Sequence, residues 1–194
     1  TLANVDLAAL AAQHVETNAL VTMAVVGADP RYNAIEANDA GIITRLPNRT
    51  LGTPGTPGTA GTFERFHFIG VQAANASVFA GVSPEQKSET VHGIYPGLIA
   101  NRPEALRVFK TEAEFFDIGS PRDYLETALT IARREGQPLD RGVDCTVADS
   151  ARLSHTILWD RVTIGAGADL TECVVGDDVI VPPGARHSRC SLVM

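Results

Sequence analysis

The stretch VTIGAGADLTECVVGDDVIVPPGARHSRC, residues 162–190, decides how the C-terminal part of the chain folds. Set against the residues before it, it repeats at a spacing of seventeen. Cys145, Val162 and Val179 fall in register, as do Val147, Ile164 and Val181, Ala151, Ala168 and Ala185, and Ser150, Gly167 and Gly184. Within one copy, Val162, Ile164, Ala168, Leu170 and Val174 place apolar residues two and six apart. A period near eighteen, made of hexads with one shortened at a corner, predicts a parallel β-helix whose small apolar side chains stack turn on turn. About three copies is near the minimum for such a solenoid, whose open edges require a cap or a partner. Residues 138–194 are therefore expected to pack on the first domain or on another copy of the chain.

Residues 1–137 read differently. NVDLAALAAQHVETN has helical spacing, with Asn4 or Asp6 as a cap, and ALVTMAVVGADP has the β-rich run of a buried strand. A helix feeding a buried strand is α/β grammar. RYNAIEANDAGIITRL predicts a hairpin around its Asn-Asp-Ala-Gly turn. ERFHFIGVQAANASVF predicts a strand and then a helix beginning near Asn75 or Ser77. Gly70 inside that strand marks a bulge or a place where something approaches the backbone closely. SETVHGIYPGLIANRP predicts a short helix ending near Pro96, and ALRVFKTEAEFF a strand. In SPRDYLETALTIARREG, Ser120 is an N-cap, Pro121 the first helical residue and Gly136 the C-terminal stop.

LGTPGTPGTAGTF, residues 51–63, lacks the preceding strand, following helix and lysine of a phosphate loop and reads as a flexible surface tract. Because helical pattern begins almost at Thr1, the chain is expected to be a piece of a longer one.

The chain has 194 residues, 44% of them hydrophobic, enough for one good core and a smaller second one. A formal charge of −7 argues against nucleic acid and anionic membranes as partners, because both require a basic face. Three cysteines, Cys145, Cys173 and Cys190, without a C-x-x-C pair, suggest neither a disulfide framework nor a zinc site and fit a reducing cytoplasm. Cys173 and Cys190 would stack in adjacent turns as packing groups. His14, His67, His92, His155 and His187 stand singly, with no i,i+4 pair for a metal.

The order of parts resembles the sugar-phosphate nucleotidyltransferases, in particular the mannose-1-phosphate guanylyltransferase-like and glucose-1-phosphate nucleotidyltransferase-like enzymes. The matching residues are Phe68, Gly70 and Val71; Tyr95, Pro96, Leu98 and Ile99; and Phe115, Asp117, Ile118, Gly119, Ser120, Pro121, Tyr124 and Leu125. The resemblance implies an incomplete Rossmann-like nucleotidyltransferase domain followed by a short left-handed parallel β-helix. It implies transfer of a nucleotidyl group from a nucleoside triphosphate to a sugar 1-phosphate, with pyrophosphate leaving and Mg2+ as cofactor. By position, Asp117 corresponds to one of the family's two metal-binding aspartates, and Gly70 to the glycine that lets the sugar phosphate approach. From the residues alone, Asp117 better suits a carboxylate accepting hydrogen bonds from the turn amides around Gly119, a reading compatible with the metal role.

The departures are specific. The family's glycine-rich triphosphate loop has no counterpart here, and its other metal-binding Asp would lie upstream of Thr1. RLPNRTLGTPG stands near Leu46 where the family has an E-K-P segment. The chain alone is thus expected to be inactive, a cytoplasmic protein that oligomerises through the β-helix. Two other functions compete: a non-catalytic nucleotide-sugar-binding or assembly relative, and a hexapeptide-repeat acyltransferase using His155 or His187.

Overall fold

Asp6 opens the first helix: its Oδ1 accepts the Ala9 N–H at 2.9 Å, supplying a partner for one of the amide groups that a helix start leaves without one. The computed structural model describes residues 1–47, 63–83, 85–136 and 141–194. The tract 51–63, apart from Phe63, and residues 137–140 at the boundary of the two expected domains lie outside them. In chain order the elements are β1 (Leu2–Ala3), α1 (Leu7–Glu16), β2 (Val21–Gly27), β3 (Ile35–Ala37), β4 (Ile43–Arg45), β5 (Glu64–Ala74), α2 (Tyr95–Asn101), β6 (Leu106–Lys110), β7 (Phe115–Phe116) and α3 (Pro121–Glu135). Nine short strands follow: β8 (Thr146–Val147), β9 (Arg152–Ser154), β10 (Ile157–Leu158), β11 (Thr163–Ile164), β12 (Asp169–Thr171), β13 (Val174–Val175), β14 (Ile180–Val181), β15 (Arg186–Ser188) and β16 (Ser191–Leu192). The protein is mixed α/β and forms two compact units, Ala3–Phe115 and Thr1–Leu2 with Phe116–Met194.

In the first unit a mixed five-stranded sheet runs β4-β3-β5-β2-β6. Only β2 and β6 are parallel; the other pairs are antiparallel. β2 lies between β5 and β6, and Val21 through Val25 are wholly buried, which is why its sequence is apolar on both faces rather than alternating. Met23, Ile35, Ile43, Tyr95, Leu106 and Val108 complete the core. The hairpin between β3 and β4 turns as the Asn-Asp-Ala-Gly sequence predicts. Asn38 Oδ1 accepts the Ala40 and Ile42 N–H groups, and Gly41 adopts φ +75°.

Two expectations fail locally. After β5 the chain makes only a 3-10 turn, Ala76–Phe79, with Asn75 at its cap position. Pro96 does not end a helix: a π-helical turn, Thr90–Ile94, runs into α2, and Pro96 stands just after the junction as the second residue of α2.

In the second unit the seventeen-residue period becomes geometry. Thr146 pairs with Thr163 and Thr163 with Ile180; Arg152 with Asp169 and Asp169 with Arg186; Ile157 with Val174 and Val174 with Ser191. All these pairs are parallel, so each turn of chain gives one strand to each of three sheets, β14-β11-β8, β15-β12-β9 and β10-β13-β16. Val162, Ile164, Ala168, Leu170, Cys173 and Val175 fill the interior at 0–1% exposure. Two sheets alternate outward and inward residues, as Asp169, Leu170 and Thr171 do, with outward Ile180 and inward His187 departing from the polar-out, apolar-in pattern. The third does not, because Ile157 and Val174 face outward yet are buried, packed with Leu125 of α3. Packing thus groups α3 with the coil.

The corners of the coil are left-handed. Asp144, Arg161 and Asp178 stand at φ +56°, +58° and +62° in one column; His155, Glu172 and Arg189 at +46°, +53° and +52° in another; Gly167 and Gly184 at +70° and +71° in a third. A residue with a Cβ is strained there by roughly 1–2 kcal/mol, offset by the strand pairing on either side of each corner. Charge alternates up the columns: Arg152, Asp169 and Arg186 are register neighbours, and Arg161 holds Asp178 through a bidentate pair at 2.6 and 2.8 Å.

Candidate functional site

The site residues read from sequence fall on two elements, strand β5 and the segment leading into α3. On β5, Met23 faces Gln72 and Val25 faces Phe68, so Ala24 of β2 stands opposite Ile69, Gly70 and Val71. The surplus residues make a bulge. Ile69 points into the core at 1% exposure, whereas Gly70 is exposed at φ +82°, a conformation that a Cβ would strain. The result is a patch of bare backbone on a strand whose neighbours are side-chain covered. Both sequence readings of Gly70, bulge and close approach, are compatible with this geometry.

Two residues after Gly70, Gln72 Oε1 accepts a 2.9 Å hydrogen bond from the Tyr95 hydroxyl. Tyr95 is fully buried, and burial pushes its phenol up, so it remains a neutral donor that pins α2 to β5. Of the Y-P-x-L-I residues, Tyr95 is therefore a positioning group, and Leu98 and Ile99 pack against the core.

An aromatic cluster was not foreseen. Tyr32 stacks on His67 at 4.2 Å and 23°, and Phe115 meets both rings, at 5.8 Å from Tyr32 and 5.0 Å from His67. The Arg31 guanidinium lies 5.4 Å over Tyr32 and is gripped by the Asp29 carboxylate at 2.7–3.1 Å. Those bonds, with the Arg31 backbone N–H, hold the Asp29 carboxyl down at about 2. The signal for this turn was the Asp-Pro at the end of the β2 run. Its ring partners come from segments far along the chain, which spacing cannot connect.

Asp117 lies between β7 and α3 and is exposed. The helix start beside it satisfies itself: Ser120 Oγ accepts the Asp123 N–H at 3.2 Å and donates to Asp123 Oδ2 at 2.7 Å. Among the described residues neither a hydrogen bond nor an ion pair ties down the Asp117 carboxylate, so the turn-bracing role does not describe it. Gly70 belongs to the first unit and Asp117 to the second. Among the described residues no three His, Cys, Asp or Glu side chains converge to hold a metal. Magnesium needs only one or two protein carboxylates beside phosphate oxygens and water, and one exposed carboxylate suits part of that demand.

His155 and His187 occupy different columns of the coil. His155 is an exposed left-handed corner whose Nδ1 lies 3.3 Å from Ser154 Oγ, whereas His187 follows Leu153 and Leu170 at an inward position of its strand. No protein-family model matches the chain, and no curated protein matches it.

Proposed function

We propose that the chain is the sugar-phosphate and metal-binding part of a sugar-phosphate nucleotidyltransferase, which joins the nucleotidyl group of a nucleoside triphosphate to a sugar 1-phosphate and releases pyrophosphate. The observation that supports it most is Gly70, an exposed left-handed glycine in a bulge of an otherwise ordered strand. Bare backbone at such a point lets a phosphorylated sugar come within reach of main-chain N–H groups. Asp117 would be one Mg2+ ligand, unengaged by the neighbouring helix cap. The ion would neutralise charge on the phosphates during in-line displacement.

This reading carries further expectations: a Rossmann-like completion of the mixed sheet, a left-handed sense for the three-sided coil, association of copies through that coil, and action in the cytoplasm. The nucleotide-binding loop and the second aspartate would come from sequence upstream of Thr1.

The test uses the chain together with its upstream coding sequence, assayed for pyrophosphate release over a panel of triphosphates and sugar 1-phosphates. Magnesium-dependent release is expected with one pair, falling about 100-fold or more in Asp117→Asn, since a metal ligand supports several kcal/mol of transition-state stabilisation. Unchanged activity in that variant would remove Asp117 from the metal. Absence of release with every pair, alongside binding of a nucleotide sugar, would favour the non-catalytic relative.

A further inference from the structure

We propose that Cys173 and Cys190 form a modification site, which a hydroperoxide closes into an intrachain disulfide stapling two successive turns of the coil. The thiols are free, and their sulfurs lie 3.7 Å apart. They occupy one column, Thr156, Cys173 and Cys190, in which the Cys173 N–H donates to Thr156 Oγ1 at 3.3 Å. Paired residues flank them on both sides, Thr171 with Ser188 and Val174 with Ser191, so the two backbones stand in register. Register neighbours in a parallel sheet are about 4.8 Å apart, inside the roughly 4.4–6.8 Å that a disulfide spans between Cα atoms. The bridge therefore requires rotation of side chains and little movement of backbone.

The two thiols are unequal in a way that orders the reaction. Cys173 is fully buried, and burial pushes its thiol up. Cys190 is half-buried and opens onto a groove of about 920 Å³ between α3 and the coil, bordered by Arg133, His155 and Arg189. An oxidant reaches Cys190 first. Its sulfur attacks the peroxide O–O bond, forming a sulfenic acid and releasing the other oxygen as water or alcohol. The Cys173 sulfur then attacks the Cys190 sulfur; the S–O bond breaks, and the hydroxide leaves as water with the Cys173 proton. Two thiols lose two electrons and one peroxide gains them. Cys145, whose Sγ lies 2.9 Å from the Trp159 carbonyl oxygen, sits in a different column and has no thiol partner among the described residues.

The experiment treats the native protein with hydrogen peroxide, blocks remaining thiols with N-ethylmaleimide and maps tryptic peptides. The expected product joins residues 162–186 to the peptide that begins at Cys190, two hydrogens lighter than the reduced pair. Dithiothreitol reverses it, Cys145 stays open to N-ethylmaleimide, and the oxidised protein melts several degrees higher because a loop of the unfolded chain is closed. Cys190→Ser, at the half-buried position, loses both the cross-link and the melting shift, while Cys145→Ser keeps them. Recovery of Cys190 as sulfinic acid with Cys173 unlinked, a cross-link only between chains, or no reaction under conditions that oxidise a free thiol would each overturn the proposal.

Discussion

The Trp159 indole N–H donates a 3.2 Å hydrogen bond to the Tyr124 hydroxyl, with the two rings edge to face at 6.1 Å. It marks the seam along which α3 covers the third sheet of the coil. The buried part of that seam is Leu125 against Ile157 and Val174.

Trp159 is the chain's single tryptophan and so reports on this seam. Leu125→Ala is expected to cost about 2–5 kcal/mol through lost burial and the cavity left behind. Tyr124→Phe removes one partly exposed hydrogen bond and should cost ~1 kcal/mol or less. Urea unfolding followed by Trp159 emission checks both. Equal costs for the two variants would show that α3 is held by the polar contact and not by the leucine.

Gly165 and Gly167 separate two reasons for a glycine. A Cβ on Gly165 would lie 2.5 Å from Pro183 N and 2.8 Å from Pro182 C, in the backbone of the next turn. One on Gly167 meets nothing within 4 Å, but its φ is +70°. Gly167→Ala should cost about 1 kcal/mol, left-handed strain less the unfolded-chain entropy that alanine removes. Gly165→Ala should cost more, about 3 kcal/mol, since backbone must move. Melting curves of the two variants decide, and a larger loss from Gly167→Ala would contradict the clash.

Gly70→Ala tests backbone strain and the proposed function together. It is expected to lose about 1 kcal/mol of stability. If the proposed function holds, it also weakens sugar 1-phosphate binding, read by calorimetry. Full stability in the variant would mean that β5 keeps its bulge without a left-handed residue.

The Asp29–Arg31 pair has a defined acid window. The carboxyl is lowered from 3.8 to about 2, so whatever stability it contributes is fully present above 3.8 and disappears as pH falls from there to about 2. Arg31→Gln should raise the Asp29 midpoint toward the ordinary carboxylate range in a carboxyl NMR titration, the backbone N–H of residue 31 still holding part of the shift. An unmoved midpoint would assign the shift to the turn amides alone.

The coil was legible because its interior admits only small apolar side chains, which forces Val162, Ile164, Ala168 and Leu170 into a period that survives in the sequence. Helix caps at Asp6, Ser120 and Gly136 were legible for the local reason that each has its partner within four residues. The left-handed corners at Arg161 and Glu172 were not, since neither residue favours that conformation and tertiary pairing imposes it. Nor was the attachment of α3 to the coil, although adjacent apolar pairs such as Ile157-Leu158 and Val174-Val175 were its trace: a strand buried on both faces has something covering it. At the candidate site, Gly70 was readable from one strand. The Tyr32, His67 and Phe115 cluster required knowing which strands are neighbours.

The alternating charges of the coil impose a parity on its length. Deleting the middle turn would set Arg152 beside Arg186 and Asp144 beside Asp178, like against like where Asp169 and Arg161 now intervene. Removing or adding two turns together would keep the alternation intact. A lineage lengthening this coil by duplication would therefore conserve its electrostatics most readily by copying thirty-four residues at a time, twice the seventeen-residue repeat.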